Sequence, residues 1–361
     1  MSEFGVDFGP GSPDLDPLIG DLAGQDGPAD RAGGWPEPLW QALVAAGATR
    51  WALPPEHGGV PLDRPTLLAR YARVAEGSLT AAFILSQHDA AVRRLALVPD
   101  HPGAARWLGA IARGEAFATV GLSQLTTSRR HGAQAVRAEE IPGGGFRVAG
   151  LVPWVTAAPR ADAFILGVAL DDGRQLLAVV PADRAGLTVR PSFPLAALQA
   201  SCTAEVACEG IEIAAAEVLI GPAHDVMSSP SAGGTGGLET STLALGQALA
   251  AIRGLVAEGR ENLAEPAEAL QAEWQSLWQA LLGTATDVPG APTSAAVRGQ
   301  ANALVLRATQ AHLTARKGSG FLLDDPAQRW ARQALFFLVW SCPSPVATAA
   351  LRDMAGLCAL T

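Results

Sequence analysis

The feature that most constrains this chain is a hydrophobic period that changes twice. From Trp35 to about Ala116 apolar residues recur at helical spacing; from Ala116 to Pro222 they alternate as in strands; from Leu238 the helical period returns. In the first stretch "EPLWQALVAAGA" carries Leu39, Leu43 and Val44 on one face and stops at Gly47, and three further helices follow up to Gly114. The middle stretch has hairpin signals at Gly143-Gly144-Gly145 and Asp171-Asp172-Gly173. In the last, Leu238, Thr242, Leu245, Leu249, Ile252 and Val256 mark one long helix, and Ala301, Leu304, Val305, Ala308 and His312 a second. A final helix is predicted after Asp324-Asp325-Pro326, burying Ala331, Ala334, Leu335, Leu338 and Val339. The expected class is therefore α+β and multidomain. Its parts are a flexible tail (1–34), an N-terminal helical domain (35–115), a middle β-barrel-like domain (116–222), a Gly/Ser linker (223–237) and a C-terminal helical bundle (238–361).

Composition excludes several classes of function. With 49% hydrophobic and 17% charged residues the chain is not disordered. A net charge of −9, with arginines dispersed and Lys317 the single lysine, excludes nucleic acid as a partner, because phosphate neutralisation needs a basic stripe. The four cysteines form no CxxC pair and read as small buried hydrophobes, and the scattered histidines have no ligand spacing, so no metal is expected. The acidic, Gly/Pro-rich start lacks signal-peptide chemistry. The longest strongly apolar run, "ALFFLVW", is too short for a membrane span, and a cytoplasmic location is expected. No phosphate loop, HExxH, GxSxG or strand-to-helix GxGxxG is present, so any cofactor must be held without a Rossmann loop.

Five segments, in order, resemble acyl-CoA dehydrogenases. "WALPPEHGG" is similar to that family's LPxxHGG turn, and "FATVGLSQ" stands where it has its TEP strand. "GFRVAGLVPWVTAAPRAD" resembles YxINGxKxWITNxxxAD, and "ALGQALAAIRGLVAEGRENLAEPAEALQ" resembles the helix ending in RxxFGxxLxxxQ. "GSGFLLDDPAQRWARQA" is similar to GGxGYxxxxPxERxxRDA. The resemblance implies an FAD-dependent oxidoreductase. Trp154 and Thr156, two apart and so on one face of a strand, would pack on the flavin and bond its N5 edge, and Ser123 would offer a hydroxyl to the pyrimidine edge. Arg260 and Gln271 keep the family's spacing toward the FAD of a neighbouring subunit, with a turn expected between them at Ala264-Glu265-Pro266, which makes a homodimer or homotetramer the expected assembly. Lys317 stands where the family has a glycine near the adenylate. Each of these residues also has a plain reading, as a core Trp and Thr or as solvated surface groups.

The departures bear on chemistry. The family's catalytic carboxylate falls on Ser341, and a serine hydroxyl titrates too high to act alone as a general base. The threonine two positions on becomes Pro343, and the loop after TEP becomes "SQLTTSRR", with Arg129 and Arg130. Glu239, near the start of the first helix after the β region, is a candidate displaced base or a first-turn acid facing the helix dipole. Three functions follow. The first is dehydrogenation of an acyl thioester or another small molecule, passing electrons to an electron-transfer partner. The second is flavin monooxygenation, with a flavin-reductase partner. The third is a catalytically silent structural or acyl-binding role.

Overall fold

The computed structural model describes residues 15–125, 136–228, 237–340 and 342–357. Five helices open the described chain: α1 (Asp16–Ala32), α2 (Glu37–Ala45), α3 (Arg64–Gly77), α4 (Leu79–Ala96) and α5 (Pro102–Ala112). Eight strands follow: β1 (Ala118–Gly121), β2 (Arg137–Ile141), β3 (Gly145–Val155), β4 (Ala163–Leu170), β5 (Gln175–Pro181), β6 (Leu187–Val189), β7 (Ala204–Ile213) and β8 (Val218–Ala223). Helices α6 (Leu238–Ala257), α7 (Ala264–Ala285), α8 (Ser294–Arg316), α9 (Pro326–Ala334) and α10 (Ser344–Met354) complete it. Helical layers thus stand before and after one mixed sheet of order β6-β7-β3-β2-β4-β5-β8, with β1 parallel to β4. The Gly143-Gly144 turn joins β2 to β3, both glycines at positive φ (93° and 79°) that a side chain would strain.

The layers are tied by specific contacts. His88 of α4 meets the Ala118 carbonyl of β1 at 3.0 Å and stacks on Phe117, whose ring also lies 4.9 Å from Trp40. Helix α6 crosses α3 so closely that a Cβ at Gly246 would stand 2.2 Å from the Ala72 carbonyl oxygen; glycine is required there. By length and composition α6 could cross a bilayer, yet 78% of its apolar window is buried inside the protein. The longest apolar stretch is therefore α6 and not "ALFFLVW", and its burial marks it as a core helix.

Four expectations need correction. Residues 16–32, expected within a flexible tail, form α1 despite three glycines and Pro28. Leu18, Leu22 and Asp26 are buried, and this packing outweighs weak local propensity. The break between α6 and α7 falls at 258–263, where Gly259 takes φ 61°, and not at 264–266; Pro266 sits in the first turn of α7, where its missing N–H is no loss. The last predicted helix ends at Ala334 and tightens into a 3-10 turn over Leu335–Leu338. The tighter winding rotates Phe337 into the core and leaves Leu335 and Val339 exposed. Helix α10, which no periodicity announced, follows after Pro343.

Candidate functional site

The end of β3 is built around a backbone exception. Trp154 takes φ 57°, and the pairing of β3 with β7 shifts between Val152 and Val155. A left-handed residue inside a strand breaks the two-residue alternation. Trp154 and Thr156 therefore do not share a face: the indole is 54% exposed, whereas Thr156 is 2% exposed. This corrects the same-face expectation. The Trp154 ring leans on Phe193 at 4.7 Å, which sets its plane.

Ser123 comes to the same place from β1. It lies in the 3-10 turn just after that strand, and its Oγ donates to the Pro153 carbonyl at 3.0 Å, one residue before Trp154. Thr119 of β1 donates to the Thr156 carbonyl at 2.9 Å, and Thr203 lies 3.5 Å from the Thr156 hydroxyl. A Cβ at Gly121 would meet Val152 at 2.5 Å, so the small residue lets β1 seat against β3 beneath the site. Ser123, Trp154 and Thr156 are thus brought together. Trp154 and Ser123 lie toward the outside, and Thr156 backs them from within.

Arg260 reaches the end of α8, two residues before Lys317. Arg260, in the break after α6, donates to the Ala315 carbonyl and stands 3.3 Å from Glu258, while Glu258 also holds Arg316 at 3.0 Å. Its buried Nε has no partner among the described residues. Lys317 follows α8 with φ 54°, at the start of a 3-10 turn. Gln271 lies about two helical turns into α7, half-buried.

Glu239 sits in the first turn of α6, 3.2 Å from Arg64 and 3.9 Å from Arg93. Burial pushes its carboxyl up, but the two guanidiniums pull it further down, and it ends below its ordinary value. An acid so held is a weak proton acceptor. Sequence reasoning missed the partners that hold it, because Arg64 and Arg93 are distant in the chain. Ser341 lies outside the described residues, as do Arg129 and Arg130. The segment before Ser341 is gripped from α8, one helical turn apart: Arg298 donates to the Trp340 carbonyl at 2.8 Å and Asn302 to the Phe337 carbonyl at 2.9 Å. No sequence motif pointed to that pair.

No protein-family model matches the chain, and no curated protein matches it in sequence. Solved structures do match its fold. Butyryl-CoA dehydrogenase from Megasphaera elsdenii superposes with a TM-score of 0.78 at 16% identity, covering 97% of this chain and 100% of that one. Glutaryl-CoA dehydrogenase from Mycobacterium smegmatis, solved with FADH2, gives 0.78 at 16%, covering 97% and 96%. Dibenzothiophene monooxygenase from Paenibacillus gives 0.76 at 17%, covering 94% and 95%. Helical layers around a mixed sheet, in this order and over nearly the whole length, mean that the chain has the acyl-CoA dehydrogenase fold.

Proposed function

We propose that this protein is a flavin-dependent oxidoreductase that holds FAD at the end of β3. The observation that supports the reading is Trp154, an indole lifted out of its strand by a left-handed backbone and left half-exposed beside Ser123. Two solved structures of this fold are an acyl-CoA dehydrogenase holding FADH2 and a monooxygenase. Trp154 fits the face of a planar ring, and Ser123 fits a polar ring edge. Thr156 fits less well: its buried hydroxyl supports the site from behind, beside Thr203. Arg260, with a buried donor lacking an acceptor, and Lys317 would meet the phosphates of FAD bound to a neighbouring copy, with Gln271 near them. A homodimer or homotetramer belongs to this reading. When bound, the flavin supplies hydride or electron transfer.

Dehydrogenation of an acyl thioester needs a base for the α-proton. The sequence places Ser341 where the carboxylate is expected, and Glu239 is clamped by two arginines. Oxygen-dependent oxidation of a small molecule needs no such base, and these two positions favour it over dehydrogenation. The purified protein should absorb in the visible as a flavoprotein, and Trp154→Ala should weaken flavin binding at least tenfold in a titration. A colourless protein that takes up no flavin would overturn the proposal. Anaerobic bleaching of the bound flavin by an acyl-CoA would assign dehydrogenation instead. In that case Ser341→Glu should raise the rate by a factor of about 10²–10⁴, the usual contribution of a general base.

A further inference from the structure

A cavity of about 540 Å³ opens between the turn after α2 and the facing parts of α3 and α4. None of Ser123, Trp154, Thr156, Arg260 or Lys317 lines it. Its walls include Trp51, Leu53, Val60, Leu62 and Leu67, and its positive charge is Arg93. The indole of Trp51 is fixed by the Arg70 guanidinium, 5.2 Å from the ring centre. Asp63 stands at the exposed rim, where its carboxylate is occupied as the cap of α3, accepting from the Thr66 N–H at 2.8 Å.

A guanidinium has five N–H donors. Among the described residues Arg93 gives one hydrogen bond, to the Tyr71 hydroxyl at 3.1 Å. Glu239 is 3.9 Å away, beyond hydrogen-bond reach, and is closer to Arg64. Asp89, fully buried behind, accepts a hydrogen bond from the Tyr71 hydroxyl on one oxygen, and its other oxygen has no partner among the described residues. Glu239 thus pairs with Arg93 through charge and not through a hydrogen bond, and the guanidinium fronts an apolar hollow with donors still to give among the described residues.

We propose that this cavity binds a small apolar carboxylate, its two oxygens on the Arg93 fork and its hydrocarbon tail against Trp51, Leu62 and Leu67. The planar fork matches a carboxylate with two parallel hydrogen bonds, and a cation would be repelled. The volume lies within the ordinary range of small-molecule sites. The site is separate from the end of β3 and its occupancy does not depend on flavin.

Isothermal titration of the whole purified protein with octanoate, butanoate and octylamine tests this. Octanoate should bind at least tenfold more tightly than butanoate, since each buried methylene adds a few-fold, and octylamine should not compete. Arg93→Met should weaken octanoate binding at least tenfold and Arg93→Lys by less. Leu67→Trp, which fills the hollow and leaves the charge, should abolish binding even if the arginine variant fails to fold. The proposal is overturned if octanoate gives no binding at millimolar concentration, if octylamine binds as tightly, or if a folded Arg93→Met or Leu67→Trp protein binds as wild type does.

Discussion

His88 and Asp89 are neighbours on α4 that burial drives in opposite directions. Burial lowers the imidazole to about 4, against a contact with the Ala118 carbonyl that raises it, and burial raises the Asp89 carboxyl to about 7. The folded state thus binds a proton at Asp89 more tightly than the unfolded chain does; that stabilisation is full below the ordinary value of 3.8 and is lost as pH rises through about 7. At His88 the sign reverses: stabilisation is full above 6.5 and is lost as pH falls through about 4. Across the shared window the two slopes oppose each other. Asp89→Asn should therefore leave a protein that loses stability as pH falls from 6.5 to 4, and His88→Gln one that gains it. Urea unfolding over a pH series reads both slopes, and parallel profiles for the two variants would contradict the assignment. Of the residues proposed to hold the flavin, Trp154 and Ser123 were picked out by their local sequence strings, and the folded chain places them side by side. The opposite burial of Trp154 and Thr156 was not, because it rests on a left-handed φ at a residue with a side chain, which no pattern of residue types announces.

At the scale of elements, α1 is the clearest divergence between sequence and structure. Its glycines and Pro28 read as a loop, and what makes it a helix is its docking. Asp26 accepts from Arg329 of α9 at 2.7 Å and from Ser78 at 2.5 Å, all three side chains buried. Burial holds the Asp26 carboxyl above its ordinary value even against the nearby Arg329. Asp26→Ala would leave the Arg329 charge buried and unpaired, and should destabilise the protein by about 3–5 kcal/mol in chemical denaturation. A loss below about 1 kcal/mol would mean that α1 is held by its leucines alone. The long helices were legible from periodicity. Their ends were less so: Gly259 stops α6 before the expected turn, and the 3-10 turn after Ala334 reverses which apolar residues are covered.

The whole molecule leaves large apolar side chains uncovered near its C-terminal end. Phe321, Leu322 and Leu323 are 79%, 64% and 69% exposed, and Leu335 and Val339 are also exposed. Such residues close together in sequence suit an interface, in keeping with the proposed homo-oligomer. The pair Phe321→Asp and Leu323→Asp should lower the mass in light scattering toward one chain; an unchanged oligomer would move the interface elsewhere. What the sequence determined by itself was periodic or short-ranged: the helix–strand–helix order, the two hairpin turns marked by glycine, the apolar faces and the strings around Trp154. The tertiary structure decided what depends on residues far apart in the chain. It folded α1 against α9, locked Glu239 between Arg64 and Arg93, and set Arg93 on the wall of an apolar hollow. Local propensity acts over a few residues, while burial and charge pairing act through space, and only the folded chain brings those partners together.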